Sequence, residues 1–262
     1  MKLRRAACID ALYGELPFLE RFRAAKDDGF DAVEFWSWTD KDLPAVKAAA
    51  ERAEIPICGF NGDAELSLID PDQRAVYLAF LRRSVKAAQF LGAASVTIHS
   101  NGLGEGGAVI HDYRELSHTV KLCALFRGLE DCARIAEDSG VSMNLEPLNV
   151  KRDHVGNFLQ TTRMAAELIQ LVNSPKLRVL YDAYHMQLNE GNLCGTIRRY
   201  AGTFGHVHAA DAPGRHEPGT GGIFYSAVYR ALEESGYVGL VGYELFPLRT
   251  TAEAVRAIMA VQ

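Results

Sequence analysis

The chain is 262 residues long, 48% hydrophobic and 23% charged, with a formal net charge of -5. That length can bury a large core, as one barrel-sized domain or as two small ones. The composition is that of a soluble globular protein, and an acidic balance with no basic stripe argues against nucleic acid as the main partner.

The opening residues, MKLRRAACIDALYGEL, start positive, but Asp10 and Glu15 interrupt the apolar segment that a signal peptide needs. No run approaches the roughly 18 apolar residues of a membrane span, so no membrane partner is expected. The five cysteines, Cys8, Cys58, Cys123, Cys132 and Cys194, are scattered and form no CxxC. They read as reduced core thiols of a cytoplasmic protein, with Cys123 and Cys132 on opposite faces of any shared helix.

In chain order, Ala6–Asp10 is a short apolar run. Glu15–Asp28 has a helix pattern, with Leu16, Leu19, Phe22 and Ala25 on one face, and Gly29 ends it. Ala32–Ser37 reads as a strand, and Asp42–Ala53 as a helix capped by Asp40 or Asp42. Ile55–Gly62 is a third strand. Asp70-Pro71 is a helix start, with the Asp as N-cap, and that helix runs to about Leu91 before Gly92. Ser95–Ser100 is a fourth strand, leading into Asn101–Ala108, which holds four glycines. A helical stretch over His111–Ser139 stops at Gly140. Val141–Pro147 is the fifth strand, followed by a polar loop over Leu148–Phe158 and a helix from about Thr161 to Asn173.

Leu177–His185 reads as the sixth strand, with a helix near Asn192–Ala201 after it. The alternating run Gly205–Ala210 is the seventh, and period two puts His206 and His208 on one face. Its loop, running to Gly222, is stiffened by Pro213 and Pro218. Tyr225–Ser235 is a helix ended by Gly236, Val238–Pro247 the eighth strand, and Thr251–Val261 the last helix. Eight strands alternating with eight helices imply parallel strands with helical crossovers. Their number and the chain length match an α/β fold of the (β/α)8 TIM-barrel type, as a single domain over 1–262. An open doubly wound sheet competes, but no glycine-rich phosphate fingerprint follows the first strand.

In such barrels, chemistry sits at the C-terminal ends of the strands. Glu34, Glu146, Asp182, His185, His206, His208 and Glu244 all fall there. Carboxylates gathered in one buried place would repel and be driven protonated. A divalent cation removes that cost. The expected ligands are Glu146, Asp182, His208 and Glu244, an oxygen-rich set that suits Mn²⁺ or Mg²⁺ and tolerates Co²⁺. Arg215 is expected to clamp an anionic or hydroxylated substrate, and His185 to donate to a substrate oxygen. Glu34 is placed to orient a rim histidine or a substrate hydroxyl, although a lone strand glutamate is more often structural. His206 is either a neighbour of His208 or a packing residue, and His99 is open between a site role and a structural one. Trp36, Trp38, Phe60 and Phe246 are read either as an apolar wall at the mouth or as core.

Several segments resemble the xylose-isomerase-like sugar isomerase/epimerase superfamily, and within it the hydroxypyruvate isomerase family. They are Asn144–Asn149 (NLEPLN), Leu180–Gln187 (LYDAYHMQ), Gly205–Gly221 with its PGRHEPGTG string, and Gly242-Tyr243-Glu244. The likeness is strongest from Val141 to Pro247. It implies a metal-dependent isomerase or epimerase acting on a small ketose, keto-acid or related polyol, and the expected reaction moves a proton through a cis-enediolate. Family metal ligands fall on Glu146, Asp182, His208 and Glu244, the two glutamates being the acid/base pair, and His185 and Arg215 align with substrate contacts. Hydroxypyruvate isomerases tend to carry Gln where this chain has His208, whereas ketose 3-epimerases carry His. The usual acidic residue after the TG pair is Gly222 here, and the loop Asn61–Asp70 is shorter. A ketose 3-epimerase, a metal-dependent lyase or dehydratase of the same barrel class, and a non-catalytic metal-binding sensor or scaffold are the alternatives. A homo-oligomer is open, since no exposed patch can be read from sequence.

Overall fold

Short apolar runs bounded by turn residues give eight strands, each parallel to the next in sequence order until the eighth returns to the first. They are β1 (Arg4–Cys8), β2 (Ala32–Phe35), β3 (Ile57–Asn61), β4 (Ser95–Ile98), β5 (Ser142–Leu145), β6 (Leu177–Asp182), β7 (Phe204–His208) and β8 (Leu240–Tyr243). Ala6 lies opposite Gly242 where β1 meets β8, so the sheet is a closed TIM barrel and the open-sheet alternative is excluded. The computed structural model describes residues 3–261. Met1, Lys2 and Gln262, which the single-domain reading over 1–262 also takes in, lie outside the described residues.

Parallel neighbours cannot be joined by a tight turn, so helices carry the chain back along the outside. These are α1 (Arg21–Asp27), α2 (Leu43–Ala53), α3 (Arg74–Leu91), α4 (His118–Ser139), α5 (Thr162–Val172), α6 (Ala183–Asn189), α7 (Leu193–Tyr200), α8 (Tyr225–Glu234) and α9 (Thr251–Ala260). Their starts are sealed by side chains: Asp42, Ser117, Thr161 and Thr250 each accept from a backbone N–H three residues on. α3 and α4 end at Gly92 and Gly140, both left-handed. On α4, Leu125, Leu129 and Cys132 are fully buried while Cys123 is exposed, so the two thiols do take opposite faces. Cys123 is therefore not a core thiol. All five cysteines are free.

Local hydrogen bonding moves several boundaries from the expected ones. The sixth strand stops at Asp182, because its Oδ1 accepts from the N–H groups of Tyr184 (2.7 Å) and His185 (3.1 Å) and starts α6 there. The expected eight helices are thus nine α-helices among the described residues, and His185 belongs to a helix turn rather than a strand. Asp70 Oδ1 accepts from Asp72 N, closing a turn, so α3 begins at Arg74 and Asp70-Pro71 does not cap it. The expected helix from His111 starts only at His118, since Tyr113 sits at φ 53°. Before α1 a single 3-10 turn covers Phe18–Glu20, and Leu19, expected on the buried face, is 41% exposed. No helix among the described residues is long and apolar enough to cross a membrane.

Register decides which side chains meet at the mouth. Asp182 pairs with His208, and His208 with Gly242, two residues before Glu244. Ile98 pairs with Leu145, which brings His99 beside Glu146. Gly242 has to be a glycine: a Cβ there would meet Glu34 Oε1 at 2.1 Å and His206 Nε2 at 2.8 Å. The missing side chain leaves room for a polar pair inside the barrel.

Candidate active site

A cavity of about 740 Å³ opens at the C-terminal ends of the strands. At its floor Glu146, Asp182, His208 and Glu244, all buried, each place one ligand atom within 4.8 Å of the others. His208 Nδ1 lies 3.3 Å from Glu244 Oε2, 3.8 Å from Glu146 Oε1 and 3.9 Å from Asp182 Oδ2. Glu146 Oε1 and His208 Nδ1 are buried with no hydrogen-bond partner among the described residues. Buried polar atoms left unpaired are costly, and a group of them facing one point needs a shared partner. Three carboxylates and one imidazole are the donors a hard or borderline divalent cation takes, so the residues fit such an ion.

Every member of the cluster is aimed by a second contact. His208 Nε2 lies 3.2 Å from Glu34 Oε1, while Glu34 Oε2 is 2.8 Å from His206 Nε2. The Glu34 carboxylate thus favours the proton on Nε2 and turns Nδ1 to the cluster. Glu146 Oε2 is held by His99 Nε2 at 3.2 Å, and His99 Nδ1 is held in turn by Asp63 at 3.0 Å, so only Oε1 of Glu146 is left over. The Trp36 indole N–H donates to Glu244 Oε1 (2.5 Å), and the Arg215 guanidinium donates to Glu244 Oε2 (2.6 Å). Asp182, whose Oδ1 caps α6, presents Oδ2.

Charge follows the same plan. Burial works against ionising Glu244 and Glu34, but Arg215 and His208 hold the first well below the usual carboxylate range, and His208 and His206 do the same for the second. Asp182 is pushed up to about 7 by burial and by the neighbouring Glu146. Burial opposes a charge on His208, yet Glu34 and Glu244 hold its imidazolium well above the ordinary range. In the metal-free protein a proton on Nδ1 does part of what a cation would do.

The tautomer of His185 is set by Asn149. The Asn149 Oδ1 accepts from the backbone N–H of Arg152 and Asp153, so its amide NH₂ points at His185 Nδ1, 2.7 Å away. His185 Nδ1 accepts, and Nε2–H faces the cluster, 3.6 Å from Asp182 Oδ2. Burial and Arg215 keep this ring neutral. Arg215 is presented by a loop tied to Asp211, whose carboxylate accepts from Ala212, Gly219, Gly221 and Ile223 N–H. Its guanidinium stacks over Tyr184, with the charge centre 5.3 Å from the ring.

The structure therefore brings together all seven residues singled out as ligands, acid/base groups or substrate contacts, and puts His206 and His99 beside them. Trp36 and Phe246 meet at the mouth, ring centroids 6.1 Å apart, while Phe60 is buried and stacks on Phe35. Sequence reasoning missed Asp63, Asn149 and the donor role of Trp36. Asn149 stands in the quoted NLEPLN segment, but Asp63 is one acid in a polar loop and carries no pattern.

The family model for the xylose isomerase-like TIM barrel matches residues 22–261. The chain is 31% identical to the hydroxypyruvate isomerase of Escherichia coli K12, over 97% of each chain. Among solved structures it is similar to an AP endonuclease, family 2, from Brucella melitensis, with a TM-score of 0.85, 27% identity and 97% of each chain covered. It is also similar to the 3-keto-D-glucoside 4-epimerase of Escherichia coli, with a TM-score of 0.82, 25% identity, and 99% of this chain and 98% of that one covered.

Proposed function

The chain belongs to the xylose isomerase-like TIM barrel family, and on that premise we propose that it is a cytoplasmic, divalent-metal-dependent isomerase or epimerase of small ketoses or keto-acids, like hydroxypyruvate isomerase. The observation that carries this reading is the convergence of Glu146 Oε1 and His208 Nδ1, both unpaired among the described residues, with Asp182 and Glu244. Those four side chains would hold the cation, Mn²⁺ or Mg²⁺, with Co²⁺ accepted. When bound, the ion supplies Lewis-acid charge beside a carbonyl and its neighbouring hydroxyl.

The chain's own groups then handle the proton. Glu146 and Glu244 stand on β-strand ends 5 and 8 and form the acid/base pair, one removing a proton from carbon and the other returning it. His99 fixes the Glu146 carboxylate and Trp36 and Arg215 fix that of Glu244, so neither can rotate away from a bound substrate. A carboxylate kept ionised is a weak base, so close approach and a dry floor must supply much of the rate. His185 offers its Nε2–H to a substrate oxygen, and Arg215 keeps a buried Nε without a partner among the described residues, which a ligand oxygen would fill.

Return of the proton to the adjacent carbon gives an isomerase, and to the opposite face of the same carbon a 3-epimerase. His208 supports the second outcome, since the epimerases of this superfamily carry His there. The endonuclease name of the Brucella structure is not carried over: a net charge of -5 does not suit a DNA groove. The test is incubation of the Mn²⁺-loaded protein with C3–C6 ketoses and keto-acids in D₂O. Deuterium at the adjacent carbon marks isomerisation, and inversion with label at one carbon marks epimerisation. Loss of water would make the protein a lyase, and no label in any compound would leave a sensor or scaffold.

A further inference from the structure

His154 is a buried histidine that the chemistry above does not use. It stands in the loop between β5 and α5, is 5% exposed, and lines the cavity. Its Nδ1 lies 2.7 Å from the carbonyl oxygen of Gly107. A carbonyl can only accept, so the ring proton is on Nδ1, and Nε2 is left with a lone pair. That Nε2 is buried and has no partner among the described residues. Burial and the nearby Arg215 keep the ring neutral, although the Gly107 carbonyl works the other way.

Its neighbours exclude the bland accounts. Asp153, His154 and His185 are close enough to suggest a second metal site. However, Asp153 Oδ2 already accepts from Tyr184 and Asn149, and His185 Nδ1 from Asn149, and of the three side chains only His154 has a buried atom without a partner among the described residues. The ring is also held firmly. It packs edge-on to His185, centroids 5.0 Å apart, and Gly107 (φ +79°) approaches so closely that a Cβ would meet Cε1 at 2.8 Å. Leu103, Gly104 and Gly107 of the same glycine loop line the cavity beside it.

A fixed, unpaired lone pair on a side chain that lines the cavity suits a ligand O–H or N–H. Carboxylate and carbonyl oxygens cannot fill it. In hydroxypyruvate the carbonyl and the one hydroxyl are the oxygens at the reacting carbons, and the remaining group is a carboxylate, so no hydroxyl is left over. The cavity is also several times larger than a three-carbon acid, within the range of about 300–1,000 Å³ that houses much bigger ligands.

We propose that His154 Nε2 accepts a hydrogen bond from a substrate hydroxyl beyond the two reacting carbons, so that the substrate is a polyhydroxylated chain of four or more carbons. This rests on the isomerase or epimerase reading and narrows it. His154 is then a specificity residue, with the glycine loop docked on its far side.

The test compares wild type, His154→Asn and His154→Gln, all Mn²⁺-loaded. Asn keeps an N–H near Gly107 and deletes the acceptor, while Gln can return an amide oxygen near the Nε2 position. Substrates are hydroxypyruvate, erythrulose, xylulose and fructose, followed by deuterium exchange and by calorimetric binding. For His154→Asn the kcat/KM ratio of the best longer ketose over hydroxypyruvate should fall about tenfold to a hundredfold, chiefly through KM, as for a lost buried hydrogen bond. Mn²⁺ affinity read by electron paramagnetic resonance should not move, and Gln should recover part of the ratio. An unchanged ratio in folded His154→Asn overturns the inference, and so does a wild type that turns over only hydroxypyruvate. If no compound exchanges label, the isomerase reading fails. Ketose binding then decides this inference: weakening by His154→Asn upholds it, and indifference ends it. Should the Asn variant not fold, His154→Phe, which fills the ring's place without an acceptor, carries the same comparison.

Discussion

Glu34 Oε1 lies 3.2 Å from His208 Nε2, and its charge favours a proton on that nitrogen while Nδ1 faces the three carboxylates. Glu34 comes from β2, far from the other cluster residues in sequence, and it reaches them only because Gly242 lacks a side chain. Replacing Glu34 by Gln removes the charge that favours a proton on Nε2. Mn²⁺ affinity should fall about tenfold to a hundredfold, the usual effect of losing such an outer carboxylate. Titration followed by electron paramagnetic resonance measures it, and an unchanged affinity would remove Glu34 from the site.

Glu146→Gln and Glu244→Gln should each lower turnover by about 10²–10⁴-fold, the range of general acid/base help. Both should also weaken Mn²⁺ binding. Deuterium wash-in at saturating Mn²⁺ separates the two effects, and a fully active variant with metal bound would end the acid/base assignment.

Exhaustive dialysis against a chelator should abolish turnover, with Mn²⁺, Mg²⁺ or Co²⁺ restoring it. An ion at a hundred times its Kd that binds only the folded chain adds about 2.7 kcal/mol. Calorimetric melting should therefore rise by several degrees on loading. Activity that survives chelation would contradict a metal-dependent mechanism.

His99 gives the metal-free protein a pH dependence of known sign. Burial opposes its charge, but Asp63 and then Glu146 lift it from 6.5 in an unfolded chain to about 10 in the fold. The folded state thus holds an extra proton between those values. The stabilisation is complete below about pH 6.5 and is lost as pH rises through about 10. Melting of the chelated protein between pH 7 and 10 should show a steeper decline for wild type than for His99→Gln. Parallel curves would mean that His99 is not charged there.

Asp211→Asn tests the loop that carries Arg215. The carboxylate accepts from four backbone N–H groups, and an amide can serve only some of them. Each buried donor left unpaired costs about 1–3 kcal/mol. Urea unfolding should show a loss of about 2–4 kcal/mol, and KM should rise more than Mn²⁺ affinity falls.

The cluster was legible in sequence because Glu146, Asp182, His208 and Glu244 each end or follow a strand, and parallel strands bring their ends to one face. The barrel was legible from alternation alone. What could not be read were contacts made by loops. Asp63 reaches His99 from the loop after β3, and nothing in its neighbours marks it. The helix α6 was hidden because Leu177–His185 reads as one mostly apolar run, and only the turn of the Asp182 side chain back onto its own backbone separates strand from helix. Asp70-Pro71 misled for a related reason, since an Asx turn uses the same residues as a helix cap.

Asp182 divides its two oxygens between unlike tasks: Oδ1 receives the amides of Tyr184 and His185, and Oδ2 faces the cluster. Any charge arriving at the cluster must therefore be felt by the first turn of α6. Solvent exchange of those two amides becomes a gauge of occupancy, readable by NMR in a resting protein with no substrate present.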